Sequence, residues 1–303
     1  MSLGSRIFRL SRAQFLPVIL SPVLVGTALA WWTNRAFSLL LFGLVVLGSI
    51  SLHLAANTID DVYDFESGVD VVSNNMFPPD FGGWKILPRG LMTFGEAKRA
   101  AYFFFLVTIG IGLYLVYLRG PVVLLLGLIG LFFAYFHVAP PLKLGYRGLG
   151  LGELGILLAF GIIPVTGSFY VQTGNLSLLP VLIGLPLGLL TTCVLINHDQ
   201  IFFEAYRKSS KRSLTITIGR TSAYTVAFAC TLASYLIVIA GILIRVLPAT
   251  SGLVLLTLPL VFKQIQLYRT PAESPLHYVK LTQATFALSV IFGFLLALSL
   301  IVG

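Results

Sequence analysis

The sequence predicts an all-α integral membrane protein, and its composition and mean hydropathy lead to that conclusion. Hydrophobic residues make up 57% of the 303 residues and charged residues only 10%, and the mean hydropathy is +0.95. An ordinary globular chain carries about 25% charged residues. A soluble domain of this length cannot cover its surface with so few polar groups, so lipid must be the solvent for most of the chain. This excludes a soluble enzyme, a disordered chain and a fibre.

Nine apolar stretches account for the predicted bundle of nine transmembrane helices, since about 20 helical residues cross a bilayer core of about 30 Å. They run from Ala13 to Trp32, Ser38 to Thr58, Gly95 to Leu118, Pro121 to Val138, Gly152 to Tyr170, Leu178 to Asn197, Thr221 to Ile244, Pro248 to Phe262 and Leu281 to Val302. The eighth stretch is short. We expect residues 1–303 to form one domain, with functional loops at residues 59–94 and 198–220 that cap the cytoplasmic side.

The first stretch has a second interpretation as a cleaved signal peptide. Arg12 and two earlier arginines precede it, and a tripeptide of small and apolar residues, 28–30, lies near its end. Both features occur in signal peptides, whose apolar core is about 7–15 residues long. The stretch is longer than that, which favours a retained helix.

The charged residues are concentrated on one side of the predicted bundle. With the N-terminus on side one, all of the 20 Lys and Arg residues except Arg35, Arg119 and Arg245 fall on that side. The positive-inside rule identifies side one as cytoplasmic. The net charge of +9 is therefore an orientation signal, and no nucleic-acid partner is expected. The 11 acids lie on the same side or at helix ends that open to it, which indicates a cytoplasmic-side site that needs both signs of charge.

An acidic stripe occupies the end of the second predicted helix. Asn57, Asp60, Asp61 and Asp64 are spaced i, i+3, i+4 and i+7, which places them on one face of an α-helix. Carboxylates this close repel one another unless a cation compensates them. Mg²⁺ suits the site because it binds one or two carboxylates and keeps positions for substrate phosphates. A solvated acidic turn at the membrane surface is the alternative interpretation.

The stripe contains a recognisable motif. The segment from Asp60 to Asp64 reads DDxxD and is preceded by Asn57 and followed by Gly68 and Asp70. This pattern resembles the first motif of the UbiA superfamily of intramembrane prenyltransferases, and its spacing is most similar to the menaquinone-type branch. The family usually has Asn where this chain has Asp60. The exchange adds negative charge and is expected to preserve metal binding.

A second acidic motif follows the sixth predicted helix. In the resembling family it has two aspartates four apart, whereas Asp199 and Glu204 are five apart. Residues i and i+5 point about 140° apart on a straight helix. Either the helix unwinds between them or only one of the two carboxylates ligates metal directly. The resemblance implies that Asp199 and Glu204 form a second metal site.

Basic residues near the two motifs are candidate ligands of a diphosphate, which Lys and Arg bind through charge-assisted hydrogen bonds. Four follow the second motif, and four lie in two loops that resemble basic loops of the family: Arg207, Lys208, Lys211, Arg212, Lys85, Arg89, Lys143 and Arg147. The loop that contains Lys85 and Arg89 resembles the family's lid. Each of these cations also has a simpler role in setting the orientation of the chain.

The resemblance implies a reaction, which is Mg²⁺-dependent transfer of a prenyl group from a polyprenyl diphosphate to an apolar or amphipathic acceptor in the bilayer. Two Mg²⁺ ions are expected from the two acidic motifs. Tyr135, with Tyr63 as a second candidate, is expected to stabilise the allylic carbocation through its aromatic face. Asn57 is expected to orient the acceptor or a metal-bound water. His137 and His198 either assist deprotonation or only hydrogen-bond.

The sequence leaves the acceptor open between a quinone-precursor ring, a tetrapyrrole and an archaeal-type glycerol-lipid hydroxyl. A cation-coupled secondary transporter is the competing class, because intramembrane carboxylates also form such sites. Transporter sites lie near the midplane, whereas these acids lie at helix ends. A phosphatidyl-type alcohol transferase is a further alternative, but its Asp-Gly...Ala-Arg signature is absent from the sequence.

Overall fold

The computed structural model describes residues 2–76, 85–272 and 274–303. Within these ranges the chain is helical and contains no β-strand, which confirms the predicted fold class. The helices are α1 (Leu3–Leu10), α2 (Pro17–Asn34), α3 (Leu39–Glu66), α4 (Val69–Met76), α5 (Phe94–Arg119), α6 (Pro121–Phe136), α7 (Leu151–Leu157), α8 (Ile163–Thr173), α9 (Leu179–Ile201), α10 (Phe203–Lys208), α11 (Leu214–Ile218), α12 (Arg220–Leu243), α13 (Leu258–Arg269) and α14 (Leu276–Val302).

Eight helices in the described ranges are long and apolar enough to cross a membrane, so the chain is a multi-pass integral membrane protein. Helix α6 is equally apolar but has only 16 residues, and the predicted count of nine spans is therefore approximate. The eighth predicted span is longer than expected. A 3₁₀ segment, Ala249–Thr257, runs directly into α13 and gives a continuous span of 21 residues.

The helices pack around one another so that the ends of α3, α7 and α9 come together. Helix α2 packs against α8 and α14, and α3 packs against α5. A π-helical segment, Leu158–Ile162, joins α7 to α8 and lies against α9. A Cβ at Gly188 of α9 would lie 2.4 Å from the carbonyl oxygen of Leu157. Glycine therefore permits the close approach that holds α7 beside α9.

Helix α3 does not end where the sequence predicts. The expected end was Thr58, with a loop from residue 59 onward, but α3 continues to Glu66. The acidic stripe lies on one regular helix, as its spacing predicted, and only the expected start of the loop at residue 59 is wrong. The physical reason is that basic side chains from other segments neutralise the stripe, so the carboxylates do not force the helix to end. Residues 77–84 of the predicted loop lie outside the described part of the chain.

The end of α9 differs from that of α3. Helix α9 ends at Ile201, and α10 begins at Phe203. Phe202 between them departs from helical geometry, with φ −98° and ψ 12°. The break lies between Asp199 and Glu204, as expected from one of the two alternatives for their unusual spacing.

Candidate active site

A cavity of about 240 Å³ lies between α2, α3, α6, α7 and α9, and its polar end is formed by the ends of α3 and α9. The charged and amide side chains that line it are Arg12, Asn57, Asp60, Asp64, Lys85, Glu153, Asp199 and Lys211. The other end of the cavity is apolar, with the rings of Phe133 and Phe160 in its wall. The structure therefore gathers residues from both predicted motifs into one site.

Asp60 and Asp61 share one cation, Arg12. The guanidinium of Arg12 donates to Asp61 and lies 3.1 Å from Oδ2 of Asp60. Burial lowers the pKa of Arg12, but the charges of Asp61 and Asp60 outweigh burial and raise the pKa above its ordinary value. Asp60 faces the cavity, whereas Asp61 is not among the residues that line it. Of these two predicted metal ligands, only Asp60 is placed where a substrate in the cavity can reach it.

Asp64 is the most completely coordinated acid of the stripe. Lys211 Nζ lies 2.9 Å from its Oδ2, and the Tyr146 hydroxyl donates to its Oδ1. Both partners are largely buried. Burial and the charge of Asp64 raise the pKa of the Tyr146 phenol well above its usual range. The hydroxyl therefore stays protonated and donates to the carboxylate at neutral pH.

The segment after α4 contributes a further, buried ion pair. Lys85 donates to Asp70 and lies 5.0 Å from the centre of the Phe202 ring. Arg89 donates through Nε to the Asn74 side chain at 3.1 Å. Lys85 lines the cavity and Arg89 does not. The glycines and the tryptophan of the predicted lid, residues 82–84, lie outside the described residues.

The second acidic motif reaches the cavity through one residue. Asp199 is buried and lines the wall, with His198 Nδ1 3.9 Å from its carboxylate. The Glu204 side chain is 51% exposed and lies 3.7 Å from Arg220. It is not among the lining residues. The break at Phe202 therefore brings Asp199 alone into the site and leaves Glu204 on the outer surface.

Most of the predicted diphosphate ligands do not line this cavity. Of the eight, only Lys85 and Lys211 are in its wall. Arg207 and Lys208 are exposed. Arg212 and Arg147 donate to backbone carbonyl groups of their own loops, and Lys143 lies 5.3 Å from the Tyr146 ring.

Tyr135 is also placed outside the cavity wall. Its hydroxyl lies 3.0 Å from that of Tyr63, and its ring meets Phe105 edge-on at 5.9 Å. The predicted role of Tyr135 in stabilising a carbocation stays a prediction, as does that of Tyr63. His137 does line the cavity. Burial lowers the pKa of its imidazole, and the charge of Asp60 opposes this only in part.

Four site residues were not expected from the sequence, namely Arg12, Tyr146, Glu153 and His53. Arg12 ends a run of regularly spaced arginines that was assigned only to orientation. Tyr146 lies within the basic loop that contains Lys143. Glu153 accepts a hydrogen bond from the backbone N–H of Leu214 at 3.0 Å and so holds the Lys211 loop against α7. Its position in the first turn of α7 was the available signal.

The side chains that could ligate a metal fit Mg²⁺ only when a substrate supplies further ligands. Within the described residues no group of three or more His, Cys, Asp and Glu side chains is arranged to hold a metal ion by itself. Asp60, Asp64 and Asp199 nevertheless face one cavity together with Asn57, and all four offer oxygen ligands. Mg²⁺ commonly uses one or two carboxylates and completes its shell with water and substrate phosphates. The residues therefore suit Mg²⁺ that binds together with a diphosphate.

An apolar groove of about 340 Å³ continues from the apolar end of the cavity. It runs between α3, α5, α6 and α8 and shares Ser49, Leu52, Gly130, Ile163 and Pro164 with the cavity. A cluster that includes Leu41, Leu115 and Val171 packs around its far end. The two spaces together can hold a molecule with an anionic head and a long hydrocarbon tail.

An intramembrane site of this kind defines a membrane enzyme that acts on an anionic, lipid-like substrate. The model of the UbiA prenyltransferase family matches residues 19–282, and the chain belongs to this family. It is a prenyltransferase, as the resemblance of the first motif predicted, and the transporter alternative is not supported.

Relatives of the chain agree with this class. The chain is 26% identical to the 1,4-dihydroxy-2-naphthoate octaprenyltransferase of Bacillus subtilis, over 100% of this chain and 94% of the relative. It is 29% identical to the enzyme of the same name from Escherichia coli, over 84% of this chain and 81% of the relative. It is 30% identical to UbiA prenyltransferase domain-containing protein 1 of Rattus norvegicus, over 90% of this chain and 77% of the relative.

Solved structures share the fold. A UbiA homologue from Archaeoglobus fulgidus bound to GPP and Mg²⁺ superposes with a TM-score of 0.66 at 16% identity, over 98% of this chain and 100% of that one. A UbiA homologue from Aeropyrum pernix superposes with a TM-score of 0.67 at 17% identity, over 100% of this chain and 98% of that one. At these identities the similarity is one of fold.

Proposed function

We propose that the protein transfers a prenyl group from a polyprenyl diphosphate to an aromatic quinone precursor of the dihydroxynaphthoate class, in a Mg²⁺-dependent reaction. The observation that carries the proposal is the continuity of the cavity, whose acidic and basic end opens into an apolar groove. The Bacillus subtilis and Escherichia coli relatives are 1,4-dihydroxy-2-naphthoate octaprenyltransferases, which supports the aromatic acceptor. Transfer to a glycerol-lipid hydroxyl is the alternative outcome.

The head group of the donor is assigned to the polar end. Asp60 and Asp64 on α3 would hold one Mg²⁺ ion and Asp199 on α9 a second, and bound Mg²⁺ would offset the negative charge of the diphosphate. Arg12 and Lys211 are paired with the same carboxylates. With Mg²⁺ held by these carboxylates, Arg12 and Lys211 would be available to phosphate oxygens, with which they would form charge-assisted hydrogen bonds.

The chemical step separates charge inside an apolar wall. The C–O bond of the allylic diphosphate breaks, diphosphate leaves with the electron pair, and the allylic carbon bonds to a ring carbon that then loses its proton. Lys211 and Arg12 stabilise the charge that develops on the leaving group. The rings of Phe133 and Phe160 line the cavity, and a desolvated aromatic face stabilises a cation by about 2 kcal/mol. The surrounding helices exclude water from the carbocation.

The bundle is proposed to lie with its N-terminus and the polar end of the cavity on the cytoplasmic side. All but three of the 20 Lys and Arg residues fall on that side of the predicted topology, which follows the positive-inside rule. Residues from Arg12 to Ser213 line the same cavity, which supports the proposal of one domain over residues 1–303.

The test is a reaction of purified, bilayer-reconstituted protein with labelled prenyl diphosphates and a panel of acceptors, read by mass spectrometry. We expect prenylated 1,4-dihydroxy-2-naphthoate and released diphosphate with Mg²⁺, and no product with EDTA. A hydroxybenzoate and a glycerol phosphate are the competing acceptors. Product only with the glycerol phosphate, or undiminished turnover in EDTA, would contradict the proposal.

The groove offers a separate test of where the prenyl tail lies. Gly112 of α5 lines the groove, and a Cβ there meets nothing within 4 Å. Gly112→Leu should fill the groove and shift the preference toward shorter prenyl diphosphates. Gly110→Leu is the matched control, because Gly110 lies on the same helix with equal space but outside the groove. An unchanged chain-length profile in both variants would place the tail elsewhere.

A further inference from the structure

His53 extends the polar stripe of α3 into the apolar part of the cavity. It lies one helical turn before Asn57 and two turns before Asp60, and all three residues line the same cavity. Only 6% of the His53 residue surface is exposed. The imidazole is therefore a buried polar group that faces the reaction space.

Neither ring nitrogen of His53 has a hydrogen-bond partner within the described part of the chain. Its one ring contact is with the Phe160 side chain, which meets it edge-on at 5.6 Å. Buried hydroxyls on the same helix differ, since Thr58 donates to the carbonyl of Leu54 and Ser51 to that of Phe104. An unpaired buried donor or acceptor is costly and calls for an explanation. A ligand that supplies the missing partner is such an explanation.

The donor substrate does not supply this partner. The diphosphate is assigned to Asp60 and Asp64, and Asp60, the nearer of the two, lies about 10 Å along the helix from His53, at 1.5 Å per residue. The prenyl tail contains no polar atom. Of the two substrates, the acceptor is therefore the one that can place a polar atom beside His53.

We propose that His53 binds the acceptor, through a hydrogen bond between its imidazole and a ring hydroxyl. This rests on the proposed function and names a residue that orients the second substrate. A neutral imidazole has one donor and one acceptor nitrogen, which complements a hydroxyl group that both donates and accepts. Phe133 and Phe160 line the cavity beside it and offer an aromatic ring apolar surfaces on which to pack.

The proposal is tested by removing either partner of the hydrogen bond, the imidazole of His53 or a ring hydroxyl of the acceptor. The probes are 1,4-dihydroxy-2-naphthoate, its two monohydroxy analogues and 2-naphthoate, and equilibrium binding is measured by thermal stabilisation of the reconstituted protein without prenyl diphosphate. Wild-type protein should bind one monohydroxy analogue about tenfold more weakly than the parent, the effect of losing one hydrogen bond. His53→Leu should bind both with equal affinity. Equal discrimination in wild type and variant would overturn the proposal.

Steady-state kinetics of His53 variants distinguish a role of His53 in acceptor binding from a purely structural role. His53→Leu should raise KM for the acceptor about tenfold and leave KM for the prenyl diphosphate within about twofold. His53→Gln, which mimics Nε2, or His53→Asn, which mimics Nδ1, should restore the acceptor KM. His277→Leu on α14 is the matched control, since His277 is not among the residues that line the cavity. A rise in both KM values, or rescue by neither amide, would contradict acceptor binding.

Further results distinguish a failure of the His53 inference from a failure of the proposed function. If His53→Leu does not fold, His53→Ala takes its place in both measurements, with the same expectations. If wild-type protein transfers no prenyl group to any acceptor, the proposed function fails. If wild type is active and His53→Leu retains acceptor affinity, only the inference about His53 fails.

Discussion

The two acid-bearing helix ends, at the ends of α3 and α9, look alike in the sequence and differ in the structure. On α3, Asp60 and Asp64 face the cavity from one unbroken helix, and each is paired with a cation. At the end of α9, Asp199 lines the cavity beside His198, and Glu204 of the same motif does not. Asn197, one turn from the helix end, accepts a hydrogen bond from the Tyr268 hydroxyl at 3.1 Å. At the end of α3 the polar residues named here line the cavity. At the end of α9, Asp199 lines the cavity whereas Asn197 takes part in helix packing.

Residue spacing explains the difference. Asn57 and Asp60 are three apart and share a helical face, whereas Asn197 and Asp199 are two apart and point about 200° from each other. One of the latter pair must therefore turn away from the cavity. The order of residue types is the same in the two motifs, but helical phase decides which side chains reach the substrate.

Asp64→Asn should have the largest effect of any single change at the two helix ends. It removes the charge that faces Lys211 and one proposed metal ligand, while the amide oxygen still accepts from Tyr146. We expect kcat/KM to fall at least about 1000-fold, equivalent to about 4 kcal/mol, in the labelled-donor assay. Glu66→Gln is the control, because Glu66 makes the same charge change at the exposed end of α3. Comparable losses in both variants would mean that total charge, not position, is responsible.

Asp199→Asn and Glu204→Gln compare the two acids of the second motif directly. Asp199 is buried in the cavity wall, and Glu204 is half exposed beside Arg220. We expect about a 100-fold loss of kcat/KM for Asp199→Asn, or about 2.7 kcal/mol. Glu204→Gln should change kcat/KM by less than about twofold, because an exposed ion pair contributes about 0–1 kcal/mol. Equal losses would support the sequence-based prediction that both residues bind metal.

The sequence predicts the class of fold and the first motif well because both depend on local patterns. Apolar stretches of sufficient length imply spans, and the spacing from Asn57 to Asp64 implies one polar face. The partners of that face are not local. Lys211 is 147 residues from Asp64, and Arg12 is 49 residues from Asp61. No periodicity in the sequence relates such positions, so Arg12 was assigned only to membrane orientation.

The second motif was harder to predict because its geometry depends on one backbone break. A straight helix through Phe202 would carry Glu204 to a different side of α9 from Asp199, and the observed break leaves it on the outer surface. The exposed positions of Arg207 and Lys208 follow from the same break, since both lie on α10. Charge near a motif therefore indicated eight candidate cations, but it did not show that only Lys85 and Lys211 among them line the cavity.

The two asparagines give the smallest expected effects and the cleanest contrast. The Asn57 side chain lines the cavity, so Asn57→Ala should reduce kcat about tenfold, or about 1.4 kcal/mol, without changing thermal stability. Asn197→Ala removes the acceptor of the half-buried Tyr268 hydroxyl, which then keeps only the hydrogen bond that Gln264 donates to it. The loss costs about 1 kcal/mol of stability and should lower Tm while kcat per folded molecule is kept. Tm and kcat measured on the same reconstituted samples separate the two. A loss of kcat in Asn197→Ala with unchanged Tm would show that the second helix end is a functional copy of the first, because the packing role assigned to Asn197 predicts the opposite pattern.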